Sequence, residues 1–158
     1  MVEATAQRGF RVTSATDEDL RDIVLVRTEI EKVALKLAMQ LGDALWEGRV
    51  IAGEHNLKKN EDEVIESPDD LTALKWDEAS RLFSSTLIDA CNSPRLIDLQ
   101  KKFFDQSRRF RLTLLREQKL NFPERRDRQR RLVEAVINRE IASALELLEE
   151  DIKAELMN

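Results

Sequence analysis

The sequence predicts an all-α protein, an antiparallel bundle of about six helices, and two observations carry that expectation. Beyond the first fifteen residues, apolar side chains recur at three- and four-residue spacings, the period of a helix with one buried face. All three prolines can stand at helix starts, where a missing N–H costs nothing and a fixed φ helps. With 158 residues, 42% of them apolar, the chain is long enough for one well-packed core and short for two.

The elements follow in order. Arg8-Gly9-Phe10-Arg11-Val12-Thr13 alternates apolar and polar residues around a glycine and reads as the last strand of a hairpin. A lone strand leaves its backbone groups unpaired, so the segment implies a partner upstream. Thr16-Asp17-Glu18-Asp19 places negative charge at the positive end of a first helix over 17–41, and Gly42 is its stop. A second helix over 43–62 is the weakest, interrupted by Gly48 and Gly53, and Glu61-Asp62-Glu63 to Ser67 reads as a mobile linker. Ser67-Pro68-Asp69-Asp70 opens a third helix over 69–91, and Ser93-Pro94 a fourth over 94–118. Pro123-Glu124 opens a fifth over 123–138, and a sixth covers 140–157.

Composition excludes several classes of function. A net charge of −5 and a pI near 5.1 disfavour a chain that holds a nucleic-acid backbone alone. The single cysteine, Cys91, cannot form an intrachain disulfide, and neither a signal-like segment nor an apolar run of membrane-span length is present, which points to the cytoplasm and away from a membrane. His55 is the only histidine, so one chain cannot build a metal site from several imidazoles. A Cys91 nucleophile would need a base nearby, and with one imidazole in the chain an enzyme is not expected.

Polar residues on apolar stripes are the candidates for function, because a buried polar group costs about 1–3 kcal/mol unless something satisfies it. On the first helix, Leu20, Ile23, Val24, Ile30, Ala34, Leu37 and Leu41 form the inward face, with Arg27 and Glu31 at its edge. Arg27 is either one half of an internal i,i+4 pair with Glu31 or a bidentate clamp on a carboxylate ligand. On the third helix Asp77, Ser80 and Ser84 share a line with Ala73, Leu87 and Cys91, with Trp76 and Phe83 beside them. Gln129 falls in line with Leu132, Val133 and Val136, and Asp151 lies between Leu148 and Ile152. The run Arg125, Arg126, Arg128, Arg130 and Arg131 spreads around a helix and is interleaved with Glu124 and Asp127, so it reads as a solvated, salt-bridged surface rather than a nucleic-acid stripe.

Three motifs, in this order, carry a resemblance across essentially the whole chain. Gly9-Phe10-Arg11-Val12-Thr13 followed by Val26-Arg27-Thr28-Glu29-Ile30-Glu31 resembles the junction between the winged-helix and helical effector domains of GntR-family transcription regulators of the FadR subfamily. Phe83-Ser84-Ser85-Thr86-Leu87-Ile88-Asp89-Ala90-Cys91-Asn92-Ser93-Pro94-Arg95-Leu96 resembles the central motif of that C-terminal (FCD) domain, and Arg128-Gln129-Arg130-Arg131-Leu132-Val133-Glu134-Ala135-Val136 its later one. The resemblance implies that residues 1–14 are a remnant of the wing and linker, and that 15–158 form a helical effector-binding and dimerisation domain of the FadR C-terminal type. It further implies a homodimer that meets DNA only through a winged-helix domain this chain lacks.

In the metal-binding branch of that family an aspartate and three histidines form the centre, at the positions that Ser80, Ser84, Gln129 and Asp151 hold here. Two hydroxyls, an amide and one carboxylate are poor ligands for zinc or nickel, so no metal and no cofactor are expected. The resemblance implies an anionic small-molecule effector held by Arg27, Asp77, Ser80, Ser84, Arg109, Gln129 and Asp151, with Arg108 and Arg111 as alternatives to Arg109 that periodicity does not separate. The alternative is a ligand-free dimerisation module with a degenerate pocket.

Overall fold

The computed structural model describes residues 16–157, and the expected remnant strand over 1–14 lies outside them. The described residues form α1 (Asp17–Leu41), α2 (Ala44–Glu66), α3 (Asp70–Ile88), a 3-10 turn (Asp89–Cys91), α4 (Pro94–Gln106), α5 (Arg108–Arg116), α6 (Phe122–Ile137) and α7 (Ile141–Leu156). The six expected helical stretches are present, with the fourth divided into α4 and α5 at Ser107. α1 packs on α7, α4 and the 3-10 turn, α2 packs on α3 and α6, and α6 packs on α7.

Helix starts follow from short side chains that accept from otherwise unpaired backbone donors. Thr16 accepts from Asp19 N–H at 3.0 Å, Asp43 from Trp46 N–H at 3.0 Å, and Asn121 from Glu124 N–H at 3.0 Å. At α3 the cap is Asp69, not Ser67, and it forms a capping box with Thr72. Ser93 caps α4 as expected, with Pro94 in the first turn.

Two expectations are corrected here. α2 runs unbroken to Glu66, so Glu61-Asp62-Glu63 is helix rather than linker; Glu61 is fully buried and its carboxylate meets Arg126 at 3.0 Å. The buried face of α1 is also rotated from the apolar stripe. Arg27, Glu31, Ala34, Leu35 and Ala38 sit at its centre, while Leu41 is exposed. The ordinary core is built from Leu35, Trp46, Trp76, Phe83, Phe104, Leu132 and Ile152, and full burial of one such aliphatic or phenyl side chain is worth about 1.5–3 kcal/mol.

The α1–α2 corner requires glycine for space rather than for φ. A Cβ on Gly42 would stand 2.3 Å from Trp46 Cε3 and 2.8 Å from Ala38 O. Arg139, from the α6–α7 corner, closes the same end. It donates to the carbonyls of Met39 and Gly42, pairs with Glu47 at 2.6 Å and lies over the Trp46 ring. Because Trp46 is locked between these groups, Gly42→Ala should cost about 1–3 kcal/mol. Urea unfolding of the variant beside the parent checks this.

Candidate effector site

Four helices bring a set of charged side chains into the interior. Arg27 of α1 donates from Nε to Glu31 at 2.8 Å and from Nη1 and Nη2 to the two oxygens of Glu155 on α7, at 2.8 and 3.3 Å. Arg111 of α5 donates from Nη1 to Glu155 at 2.7 Å and from Nε to Asp77 of α3 at 2.8 Å. Arg108 reaches Asp77 from the protein's edge at 2.8 Å. The Phe104 ring lies against both buried guanidiniums, 4.6 Å from Arg27 and 4.0 Å from Arg111. Ser107, at the break between α4 and α5, accepts from both arginines and donates to Phe104 O.

This network is closed, since nearly every strong donor faces a carboxylate at hydrogen-bond distance. Arg27 therefore does both things its position allowed. It pairs with Glu31, and it clamps a carboxylate, which belongs to Glu155. Burial by itself would raise the Glu155 pKa, but Arg27 and Arg111 overcome it and hold the carboxyl down at about 2. Burial by itself would likewise lower the Arg27 pKa, yet Glu155 and Glu31 drive it upward. Glu31 moves the other way, raised because burial outweighs its single guanidinium.

A second group of charges, centred on α6 and α7, is not closed. Asp151 faces Arg125 at 3.9 Å and Arg128 at 3.7 Å, ion-pair distances beyond a hydrogen bond. Four buried atoms there have no hydrogen-bond partner, namely Arg125 Nε and Nη1, Arg128 Nη1 and Asp151 Oδ1. Trp76 Nε1 and Glu61 Oε2 are in the same condition. The Arg125 guanidinium stands 5.9 Å from the Trp76 ring. Burial pushes both Asp151 and Glu61 above the usual carboxylate range, although Arg125 opposes the shift in each. Both carboxyls are thereby poised to hold a proton, or to accept a donor, more readily than surface acids.

The structure distributes the expected site residues over several places. Arg27 and Asp77 belong to the closed network. Ser80 is buried and donates its hydroxyl to Trp76 O at 2.9 Å, while Ser84 is half-buried. Gln129 is buried on α6, one turn beyond Arg125, and Asp151 lies in the open group. Arg109 stands apart on α5, paired with Asp19 of α1 and stacked on Phe110. His55 is exposed on α2.

Of the five consecutive-region arginines expected on the surface, Arg126, Arg130 and Arg131 make outward ion pairs. Arg125 and Arg128 are instead buried, at 3% and 7% exposure, which corrects the surface reading for those two. The missed signal was phase, because Arg125, Arg128, Gln129, Leu132 and Val136 share one helical face.

The four positions of the metal-binding branch do not fit a metal here. Ser80 spends its hydroxyl on a backbone carbonyl, and the only carboxylate among them faces two guanidiniums that a bound cation would repel. Among the described residues no three of His, Cys, Asp and Glu lie together as a possible metal-binding group.

Comparison with known proteins settles the family. The profile of the FCD domain matches residues 22–154. The chain belongs to the FCD domain family, the effector domain of GntR-type transcription regulators. It is 28% identical over 155 residues to the HTH-type transcriptional repressor GlaR of Escherichia coli K12, covering 96% of this chain and 69% of that protein. Against the HTH-type transcriptional regulator BphR of Paraburkholderia xenovorans it is 38% identical over 93 residues, 59% of this chain and 38% of that protein. A GntR-family regulator from Pseudomonas syringae pv. tomato shares the fold with a TM-score of 0.61 at 18% identity, over 89% of this chain and 56% of that one. These relatives are regulators, and this FCD domain is not an enzyme. No described helix is long and apolar enough to cross a membrane.

The Glu155 clamp sets a pH dependence. A carboxyl whose folded pKa lies below its unfolded value of 4.5 stabilises the fold above that value, and the contribution is lost as pH falls toward the folded pKa near 2. Glu155→Gln resembles the protonated acid, so it should cost about 3 kcal/mol at pH 7, and its deficit against the parent should shrink steadily between pH 5 and pH 2. Paired urea titrations across that range measure the difference directly.

Proposed function

We propose that this FCD domain senses a small anionic metabolite without a metal and that it works as a homodimer in the cytoplasm, controlling DNA binding by an attached winged-helix domain. The observation that carries this reading is the open group of charges around Asp151. Two buried guanidiniums with unfilled N–H donors have room in their hydrogen bonding for one more acceptor, and a carboxylate is the acceptor that best matches a guanidinium in charge and shape. Of the residues the family resemblance assigns to the effector, Asp151 belongs to that group and Gln129 is buried on α6 one turn beyond Arg125, while Ser80 and Ser84 are on α3, the helix that carries Trp76. Arg27 meets Glu155 directly and Asp77 is linked to it through Arg111, and Glu155 lies one helical turn from Asp151 on α7.

Regulation then requires that the effector favour one of two arrangements of the bundle, because a ligand shifts an equilibrium only by its difference in affinity for the two states. Filling the open group would tighten α6 against α7, and α1 is joined to both through Arg139 and Glu155. A dimer is supported by the exposed Leu71, Leu74 and Leu82, which share the outward face of α3. The competing reading, a ligand-free dimerisation module, is favoured by the closed network, in which Arg27 and Asp77 are already satisfied.

Thermal unfolding of the chain with a panel of carboxylates, sugar acids and acyl-CoAs separates these, each with and without zinc or nickel and after chelator treatment. One acid class should raise the transition, by about 2.7 kcal/mol at a hundred times its Kd, with no response to metal or chelator. A strong metal response would overturn the metal-free reading, and silence throughout would establish the ligand-free module. Replacing Leu74 and Leu82 together by glutamate should convert the dimer to monomer in sedimentation velocity, with helicity unchanged.

A further inference from the structure

A groove of about 530 Å³ opens at the N-terminal ends of α3 and α6. Val64, Ile65, Ala73, Leu115, Leu120 and Phe122 give it an apolar side, and Asp69, Asp70, Arg116 and Gln118 also line it. One helical turn beyond Ala73 on α3 comes Trp76, and one turn beyond Phe122 on α6 comes Arg125. The Phe122 ring meets the Trp76 ring edge-on, with centroids 6.1 Å apart and planes at 86°. Behind the apolar wall therefore stand three buried N–H donors without hydrogen-bond partners, Trp76 Nε1 and Arg125 Nε and Nη1.

An apolar groove backed by a guanidinium and an indole N–H is complementary to a molecule with a carboxylate at one end and a hydrocarbon body at the other. We propose that the effector is an amphipathic monocarboxylate, its head group on Arg125 and Trp76 and its aliphatic or aromatic body in the groove. Arg126 is taken by Glu61 and Asp62, and Arg128 by Glu124 and Asp151, whereas Arg125 faces Asp151 only at 3.9 Å and keeps Nε and Nη1 without hydrogen-bond partners. Arg125 is therefore the guanidinium of the three with hydrogen-bonding capacity left for a ligand carboxylate. Phe122, half-buried in the first turn of α6, both lines the groove and meets Trp76, so a ligand that spans groove and donors must displace its ring.

This assignment rests on the effector reading above, and titration calorimetry of the intact chain tests the two separately. The probes are acetate, butyrate, hexanoate, benzoate and 4-phenylbutyrate, the hydrophilic acids lactate and malonate, and hexanamide as the uncharged control. Affinity should rise about fourfold for each added methylene that enters the groove, and hexanamide should not bind. Arg125→Lys should weaken hexanoate at least tenfold. Ile65→Glu, at a groove residue that is 52% exposed and so leaves folding intact, should weaken hexanoate and spare acetate. Lactate or malonate binding as tightly as hexanoate, or an Ile65→Glu variant that binds hexanoate normally, would overturn the groove assignment while the effector reading stands. Binding of none of these acids would overturn the groove assignment, and the effector reading would then be decided by the sugar acids and acyl-CoAs of the thermal-unfolding panel.

Discussion

The bundle depends on Glu155 being held by two arginines from two other helices. Glu155 is 3% exposed, and such a charge in an apolar interior is tolerated only where opposite charge and hydrogen bonds replace water. Arg27 and Arg111 supply both, and each passes the constraint on, Arg27 to Glu31 and Arg111 to Asp77. α1, α3, α5 and α7 are thereby fixed relative to one another by directional contacts that tolerate little sliding. Removing one member leaves the others charged and unpaired, which is why the cost of losing a buried partner exceeds the net worth of the pair.

The two groups of buried charge differ in kind. Around Glu155 the contacts measure 2.7–2.8 Å at their shortest, and Phe104 and Ser107 fill the remaining space. Around Asp151 the ion pairs stretch to 3.7 and 3.9 Å and leave N–H groups unfilled. The first group secures the fold at a fixed geometry. The second lies one helical turn along α7, sharing a scaffold with the first but keeping hydrogen-bonding capacity in reserve. Rigid support beside unmet polar demand is the arrangement expected where a protein receives a ligand.

Most of the fold was legible because caps and prolines act locally. Thr16, Ser93 and Pro123 mark helix starts that the structure places within a residue or two. What stayed hidden was set by partners distant in sequence. Arg27 and Glu31 looked peripheral on α1 because hydropathy assigns charge to solvent, yet Arg27's second acceptor, Glu155, lies 128 positions away and holds the guanidinium inside, with Glu31 following as its other acceptor. Glu61 looked like linker for the same reason, until Arg126 supplied its counter-charge. Ser107 divides the fourth stretch with no proline or glycine to announce it, its hydroxyl being taken by two guanidiniums and a carbonyl. At the candidate site Asp151 and Gln129 were visible as polar residues on apolar faces, whereas Arg125 and Arg128 were masked by the arginines around them.

Arg139 gives α1 the mechanics of a lever. It binds the carbonyls at the C-terminal end of the helix from the α6–α7 corner, while Glu155 grips the helix near its middle. Over 25 residues α1 is about 37 Å long. A tilt of the α6–α7 pair by about 10° would, at that arm length, carry the N-terminal end, where Asp19 pairs with Arg109, through about 6 Å. Displacements too small to disturb the core are thus amplified at the end of the bundle where the chain enters it.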